Sequence, residues 1–276
     1  MFQESFDAGS YQVLAMVFLT AMLLICTYYV SRYLETLYVK MYKKPYFIHF
    51  YIPIKKLPSN QKSLLSTNKL YKQLDKKRKT YFEHRTAKFL KTTNFVGRDG
   101  LQVDDIMRMK IAMTVIQLTF GMRNYLLNYV NTIILYPSSY FSILNQTENK
   151  GEFNPRSKAL VLSWEDFEKG NSHKEDGINL GIHEITHAIH YNAIKSNDIG
   201  AEIFYDTFLE LEKHLGSKEV RDKMIETEII REYAFTDKFE FVAVVVELFM
   251  ESPQELKKHF PVIYEYVRQM LNFRYF

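Results

Sequence analysis

His183, Glu184 and His187 form an H-E-x-x-H signature, read as His183-Glu184-Ile185-Thr186-His187. On an α-helix, residues four apart lie about 40° apart around the axis, so both imidazoles face one point. Neutral imidazole is a zinc ligand at about 2.0–2.1 Å. Glu184 follows the first histidine and can reach a water rather than the metal. Zinc lowers the pKa of a bound water to about 7, and a neighbouring carboxylate can take its proton. The chemistry expected of this spacing is hydrolysis of a carbonyl compound. The window Ile178 to Ile194 is apolar at Ile182, Ile185, Ile189 and Tyr191 and contains no Pro. It predicts a mostly buried helix, in which two histidines need partners.

Catalytic zinc usually takes three protein ligands and leaves one open position. The extended metzincin pattern requires Gly at 190 and His at 193, and this chain has His190 and Ala193. A downstream carboxylate is therefore expected. One possibility is Glu202 with Asp206. Another is Glu240, which opens an apolar run to Met250 and has Glu247 seven residues on, on the same helical face. A carboxylate inside an apolar run is costly to bury without a cation or donor. That cost favours Glu240, with Glu247 either a partner to a ligand histidine or a structural acid. His190 lies one turn along from His183 and is not expected to be a ligand.

The elements that must position these groups are legible in outline. Asp104 and Asp105 can cap a helix from about Ile106 to Phe120. Asn131 to Tyr136 and Ala159 to Trp164 read as strands, the second leading through a polar loop to the histidine helix. If this strand is an edge, Leu160 to Ser163 could hold an extended peptide by main-chain hydrogen bonds. Helical patterns follow over Glu202–Leu215, Lys218–Arg231, Asp237–Glu251 and Gln254–Leu271. Leu64 to Leu90 also reads as helical. The fold class expected is α+β: a mainly helical domain with a small sheet, preceded by one N-terminal transmembrane helix.

Tyr11 to Val30 carries no charge over 20 residues, enough to cross a hydrocarbon core of about 30 Å. The residues before it hold Glu4 and Asp7 and no base, and it ends in Tyr28-Tyr29-Val30 rather than a small-residue cleavage site. A retained anchor is expected. Arg32 to Lys91 holds 16 Lys and Arg against 3 Asp and Glu, a net of +13, which leaves 20 bases and 29 acids elsewhere. By the positive-inside rule the C-terminal side faces the cytoplasm. Lys40, Lys43, Lys44, Lys55 and Lys56 can also contact anionic lipid headgroups. No nucleic-acid motif accompanies these bases, so no nucleic-acid partner is expected. The single cysteine, Cys26, excludes an intrachain disulfide. The organisation expected is an anchor over 1–31, a basic and irregular juxtamembrane linker over 32–63, and a zincin-like domain over 64–276.

The stretches 94–102 (NFVGRDGLQ), 132–140 (TIILYPSSY), 159–170 (ALVLSWEDFEKG), 179–190 (NLGIHEITHAIH) and 240–256 (EFVAVVVELFMESPQEL) resemble the Mlc titration factor A-like zinc peptidases, distant relatives of the anthrax lethal factor catalytic domain. The resemblance spans most of the chain from Leu64 onward. It implies a gluzincin fold, one zinc per chain held by His183, His187 and Glu240, and Glu184 as general base. It also implies that Tyr233, seven residues before Glu240, helps polarise the scissile carbonyl. Where the family usually has Asp, this chain has His190. The activity implied is zinc-dependent hydrolysis of a peptide or protein substrate. The alternative reading is a membrane-tethered regulatory protein that binds a partner and keeps a structural or vestigial zinc site.

Overall fold

A computed structural model describes residues 8–142, 146–172, 177–227 and 229–275. Packing divides the chain into two units, Met1–Tyr46 and Phe47–Phe276. Glu4 and Asp7 lie outside the described residues.

The first unit is one helix, α1 (Ala8–Tyr42). It is long and apolar enough to cross a membrane. Its side chains over 11–30 are exposed. Thr20 and Thr27 donate their hydroxyls back to the carbonyls of Met16 and Leu23, which removes two unpaired polar groups from the apolar stretch. The helix does not end at Ser31. Residues 32–42 contain no Pro or Gly and continue it, so the expected irregular linker is helical for its first eleven residues. Pro45 follows shortly after the end, as a residue that cannot continue a helix.

The second unit starts earlier than the Leu64 boundary expected from sequence. Leu57 is buried and belongs to the core cluster, and Tyr51 packs against it. The expected single helix from Leu64 to Leu90 is broken into α2 (Ser59–Leu64), a 3-10 turn, α3 (Lys69–Gln73) and α4 (Lys76–Thr92). The breaks come from local side chains that restart the helix. Asn68 Oδ1 accepts from Tyr71 N at 2.9 Å, and Asp75 Oδ1 accepts from Arg78 N at 2.7 Å.

Then follow β1 (Asn94–Gly97), α5 (Asp105–Thr119), β2 (Thr132–Tyr136), β3 (Tyr140–Ser142), β4 (Thr147–Asn149), β5 (Gly151–Asn154) and β6 (Ala159–Ser163). Asp104 caps α5 as expected, accepting from Met107 N at 2.7 Å. The main sheet runs β1-β2-β6-β5, and β3 with β4 forms a separate hairpin. β1, β2 and β6 are parallel, with Ile133 opposite Leu160, and β5 is antiparallel to β6. This corrects one expectation. Leu160 to Ser163 lie on an interior strand paired on both sides; the outer strands are β1 and β5, and β5 is the one beside β6. β6 is buried at all five positions, as an interior strand covered by helices should be.

The remaining elements are helices: α6 (Trp164–Ser172), α7 (Leu180–Lys195), α8 (Ile199–Leu215), α9 (Lys218–Thr227), α10 (Lys238–Glu251), α11 (Pro253–His259) and α12 (Pro261–Met270). The polar loop expected after Trp164 is mostly α6, whose start holds Glu165 and Asp166, well placed for the helix dipole. The helical pattern over Lys218–Arg231 ends at Thr227. The pattern over Gln254–Leu271 is two helices because Pro261 lacks the N–H that would continue the first. The result is the expected α+β class, mainly helical with a small mixed sheet.

One of the buried charges lies against the end of a helix. Arg85 on α4 is fully buried. It donates to the carbonyls of Thr119, Phe120 and Met122 at 2.8, 3.2 and 2.7 Å, and to Tyr51 Oη at 2.5 Å. Carbonyls at a helix C-terminus have no intrahelical donor, and here one guanidinium satisfies those at the end of α5. Its plane also lies 4.4 Å from the centroid of the Tyr125 ring. Arg85→Met keeps the apolar stem and orphans these acceptors. It is expected to cost about 3 kcal/mol or more, read as a lowered thermal unfolding midpoint by circular dichroism. An unchanged midpoint would mean the carbonyls find other donors.

Candidate active site

The histidine helix α7 begins at a cap. Asn179 Oδ1 accepts from Ile182 N at 3.1 Å. Gly181 lies so close to the Phe167 ring that an added Cβ would sit 2.4 Å from it, which lets α7 pack tightly on α6. Helix α10 begins in the same way, with Asp237 Oδ1 accepting from Phe239 N and Glu240 N at 2.6 and 3.0 Å. The run Phe241–Val246 is entirely buried and sets α10 against α7. The two caps fix where His183 and Glu240 start their turns.

The structure brings His183, His187 and Glu240 together, with one ligating atom of each within 4.8 Å of the others. His183 Nε2 lies 3.0 Å from His187 Nε2 and 3.0 Å from Glu240 Oε2, and His187 Nε2 lies 3.4 Å from Glu240 Oε1. Ligands about 2.1 Å from a tetrahedral zinc stand about 3.4 Å apart, so the cluster is close to the size one ion needs. Glu240 Oε2 is shielded from solvent and accepts no well-aligned hydrogen bond. Two nitrogens and a carboxylate oxygen are a donor set suited to zinc. Glu202 is outside this cluster.

Glu247 has the role of partner. It is buried on α10, two turns after Glu240. His183 Nδ1 is 2.7 Å from Glu247 Oε1, Arg231 Nη2 donates to the same oxygen at 2.7 Å, and Asn179 N donates to Oε2 at 2.6 Å. A carboxylate on Nδ1 leaves Nε2 to face the cluster and makes it more basic. Burial opposes a charge on His183, but Glu240 and Glu247 outweigh it and push its pKa up to about 10. The cluster therefore favours a positive charge at its centre.

Glu184 is buried beside the cluster. Burial pushes its pKa up, and the two histidines oppose that. It packs on β5. A Cβ on Gly151 would sit 2.7 Å from both Glu184 Cγ and Oε1, so only glycine lets the strand approach the carboxylate this closely. Tyr233 stands on a 3-10 turn, Glu232–Phe235, with its ring centroid 6.2 Å from that of His183. Partial burial and the Glu240 carboxylate push its phenol up to about 12. It is half exposed. Tyr140 on β3 is buried, with its hydroxyl unpartnered, and burial, then Glu152 and Glu184, raise its pKa.

His190 points away from this chemistry. It packs among Phe204, Phe208 and Phe239, with centroids 4.4–5.5 Å apart, and neither ring nitrogen has a hydrogen-bond partner. Burial lowers its pKa to about 4, so it is neutral at pH 7. Sequence reasoning missed Gly151, Arg231, Asn179 and Tyr140. Gly151 and Tyr140 sit on short strands with little strand signal. Arg231 and Asn179 act through Glu247, 16 and 68 residues away in sequence.

A family model described as glucose-regulated metallo-peptidase M90 matches residues 52–272. The chain is also similar to an uncharacterized protein of Synechocystis sp., 24% identical over 240 residues that cover 77% of this chain and 83% of that protein. It is similar to Mlc titration factor A of Serratia proteamaculans, 26% identical over 207 residues that cover 65% of this chain and 74% of the relative.

Three variants separate holding from orienting. Glu240→Ala is expected to abolish stoichiometric zinc, whereas Glu202→Ala leaves it in place. Glu247→Gln is expected to weaken zinc about 10–100-fold, measured by competition with a chromogenic chelator. Full zinc retention in Glu240→Ala would remove that residue from the site.

Proposed function

This chain belongs to the glucose-regulated metallo-peptidase M90 family, and from that premise we propose that it is a membrane-anchored zinc peptidase. One zinc per chain is held by His183, His187 and Glu240. The observation that carries the reading is the convergence of these three side chains beside a buried Glu184. Bound there, zinc supplies Lewis acidity, which polarises a carbonyl and makes water a stronger acid.

The protein's own groups do the rest. Glu184 takes the proton of the attacking water at a carboxylate oxygen and later delivers it to the leaving amine. Tyr233 reaches from the mouth of the site and donates its phenol proton in a hydrogen bond to the developing oxyanion. The peptide adds as a further strand to the outer edge of β5, since β6 has no free edge. Gly151 keeps that edge within reach of Glu184. A purely regulatory protein with structural zinc needs no buried base beside the metal cluster, and Glu184 is such a base.

Residues 11–30 of α1 form the anchor. The net charge of +13 over residues 32–91 supports a cytoplasmic placement of the folded unit. Substrates are then intracellular peptides or proteins.

Glu184→Gln is expected to abolish peptide hydrolysis while zinc content stays near one per chain. Measurable turnover in that variant would sink the mechanism. Tyr233→Phe is expected to lower kcat about 10²–10³-fold with KM little changed, and a pure KM effect would assign the phenol to substrate binding instead.

A further inference from the structure

The basic segment before α2 and the end of α4 border a shallow, open depression of about 510 Å³. Leu57, Ala87 and Leu90 line it, and Lys55, Lys56 and Lys91 stand around it. Lys88 lies one turn before Lys91 on α4. The pocket has a fixed wall. The backbone N–H of Lys55 donates to His84 Nδ1 at 2.8 Å, and burial first, then the charge of Arg85, lower the pKa of that buried imidazole.

Among the described residues no carboxylate lines the pocket. The nearby acid is already engaged, because Glu83 pairs with Lys62 at 2.9 Å and accepts from Tyr71 Oη at 2.7 Å. Four like charges are thus gathered without a counterion from the protein. Burial, then Lys88 and Lys91, lower the pKa of Lys55. The residues leading into the pocket are apolar and turned outward: Phe50 is 72% exposed, Ile52 83% and Ile54 43%. A soluble phosphate compound would need the lysines alone. Bases joined to exposed aromatic and aliphatic side chains match a membrane interface, where both kinds of group find partners.

We infer that Phe50–Pro58 and the last turns of α4 form a docking surface for an anionic phospholipid, with the headgroup phosphate among Lys55, Lys56, Lys88 and Lys91. Phe50, Ile52 and Ile54 enter the acyl boundary beside it. This surface includes α4 lysines that lie outside the juxtamembrane segment, and it does not depend on the peptidase reading.

The test uses the full chain in vesicles of phosphatidylcholine alone, in phosphatidylcholine with phosphatidylserine, and in phosphatidylcholine with added inorganic phosphate. Lysine acetylation is followed site by site by mass spectrometry, with Lys257 and Lys258 as references. The expected result is acetylation about fivefold slower at Lys55, Lys56, Lys88 and Lys91 in phosphatidylserine vesicles only, with the references unchanged. The double variant Lys55→Glu/Lys91→Glu is expected to remove the protection of Lys56 and Lys88. Equal rates in all three preparations overturn the proposal. Protection by inorganic phosphate reassigns the pocket to a soluble phosphate compound and overturns the lipid assignment. Equal slowing of Lys257 and Lys258 reduces it to nonspecific charge attraction and overturns the site.

Discussion

One imidazole is held at both nitrogens by one helix. Glu247 engages His183 Nδ1 at 2.7 Å, and Glu240, two turns earlier on α10, lies 3.0 Å from Nε2. A ring gripped in this way has one orientation. His187, one turn further along α7, then needs only the helix repeat to bring its Nε2 to 3.0 Å from the same point. The three-residue cluster is a consequence of α10 lying against α7 in one register. A shift of α10 by one residue along its axis would rotate both carboxylates about 100° away.

Much of the second unit can be read as what keeps that register. The caps at Asn179 and Asp237 fix where each helix starts. Asn179 has two duties, since its side chain caps α7 while its own N–H donates to Glu247. Arg231 supplies a positive charge to Glu247 from the segment before α10. A buried carboxylate with three hydrogen-bond donors is held in place, whereas one with none would be among the costliest groups in the core. The apolar face from Phe241 to Val246 provides the burial that offsets these desolvation costs.

The site was more legible in the sequence than the sheet beside it. The five-residue motif and the Glu240–Glu247 spacing are periodic signals, and helical periodicity survives into three dimensions. Desolvation separated Glu240 from Glu202, because Glu240 opens an apolar run while Glu202 lies in an amphipathic one. The strand β5 was invisible because Gly-Glu-Phe-Asn is short, polar and lacks β-branched residues. Without it β6 looked like an edge. Helix α6 was read as a loop because its surface is polar and only Phe167 and Gly170 are buried. Pro45, Pro53 and Pro58 suggest an irregular linker from Arg32 onward, but all three lie beyond residue 42, and no Pro or Gly breaks the helix before it.

The burial of Glu184 ties the base to whatever charge occupies the cluster. In an apolar surrounding its carboxyl favours the neutral acid, which cannot take a proton. The opposing influence is positive charge on His187 and His183. Protonated imidazoles could supply that charge, but then their nitrogens could not act as ligands. A divalent cation supplies it and leaves both imidazoles neutral. An ion held among His183, His187 and Glu240 would favour the ionised form of Glu184 in the same way. Gly151 adds to this arrangement, because it lets β5 lie against the Glu184 carboxylate that such an ion would hold ionised.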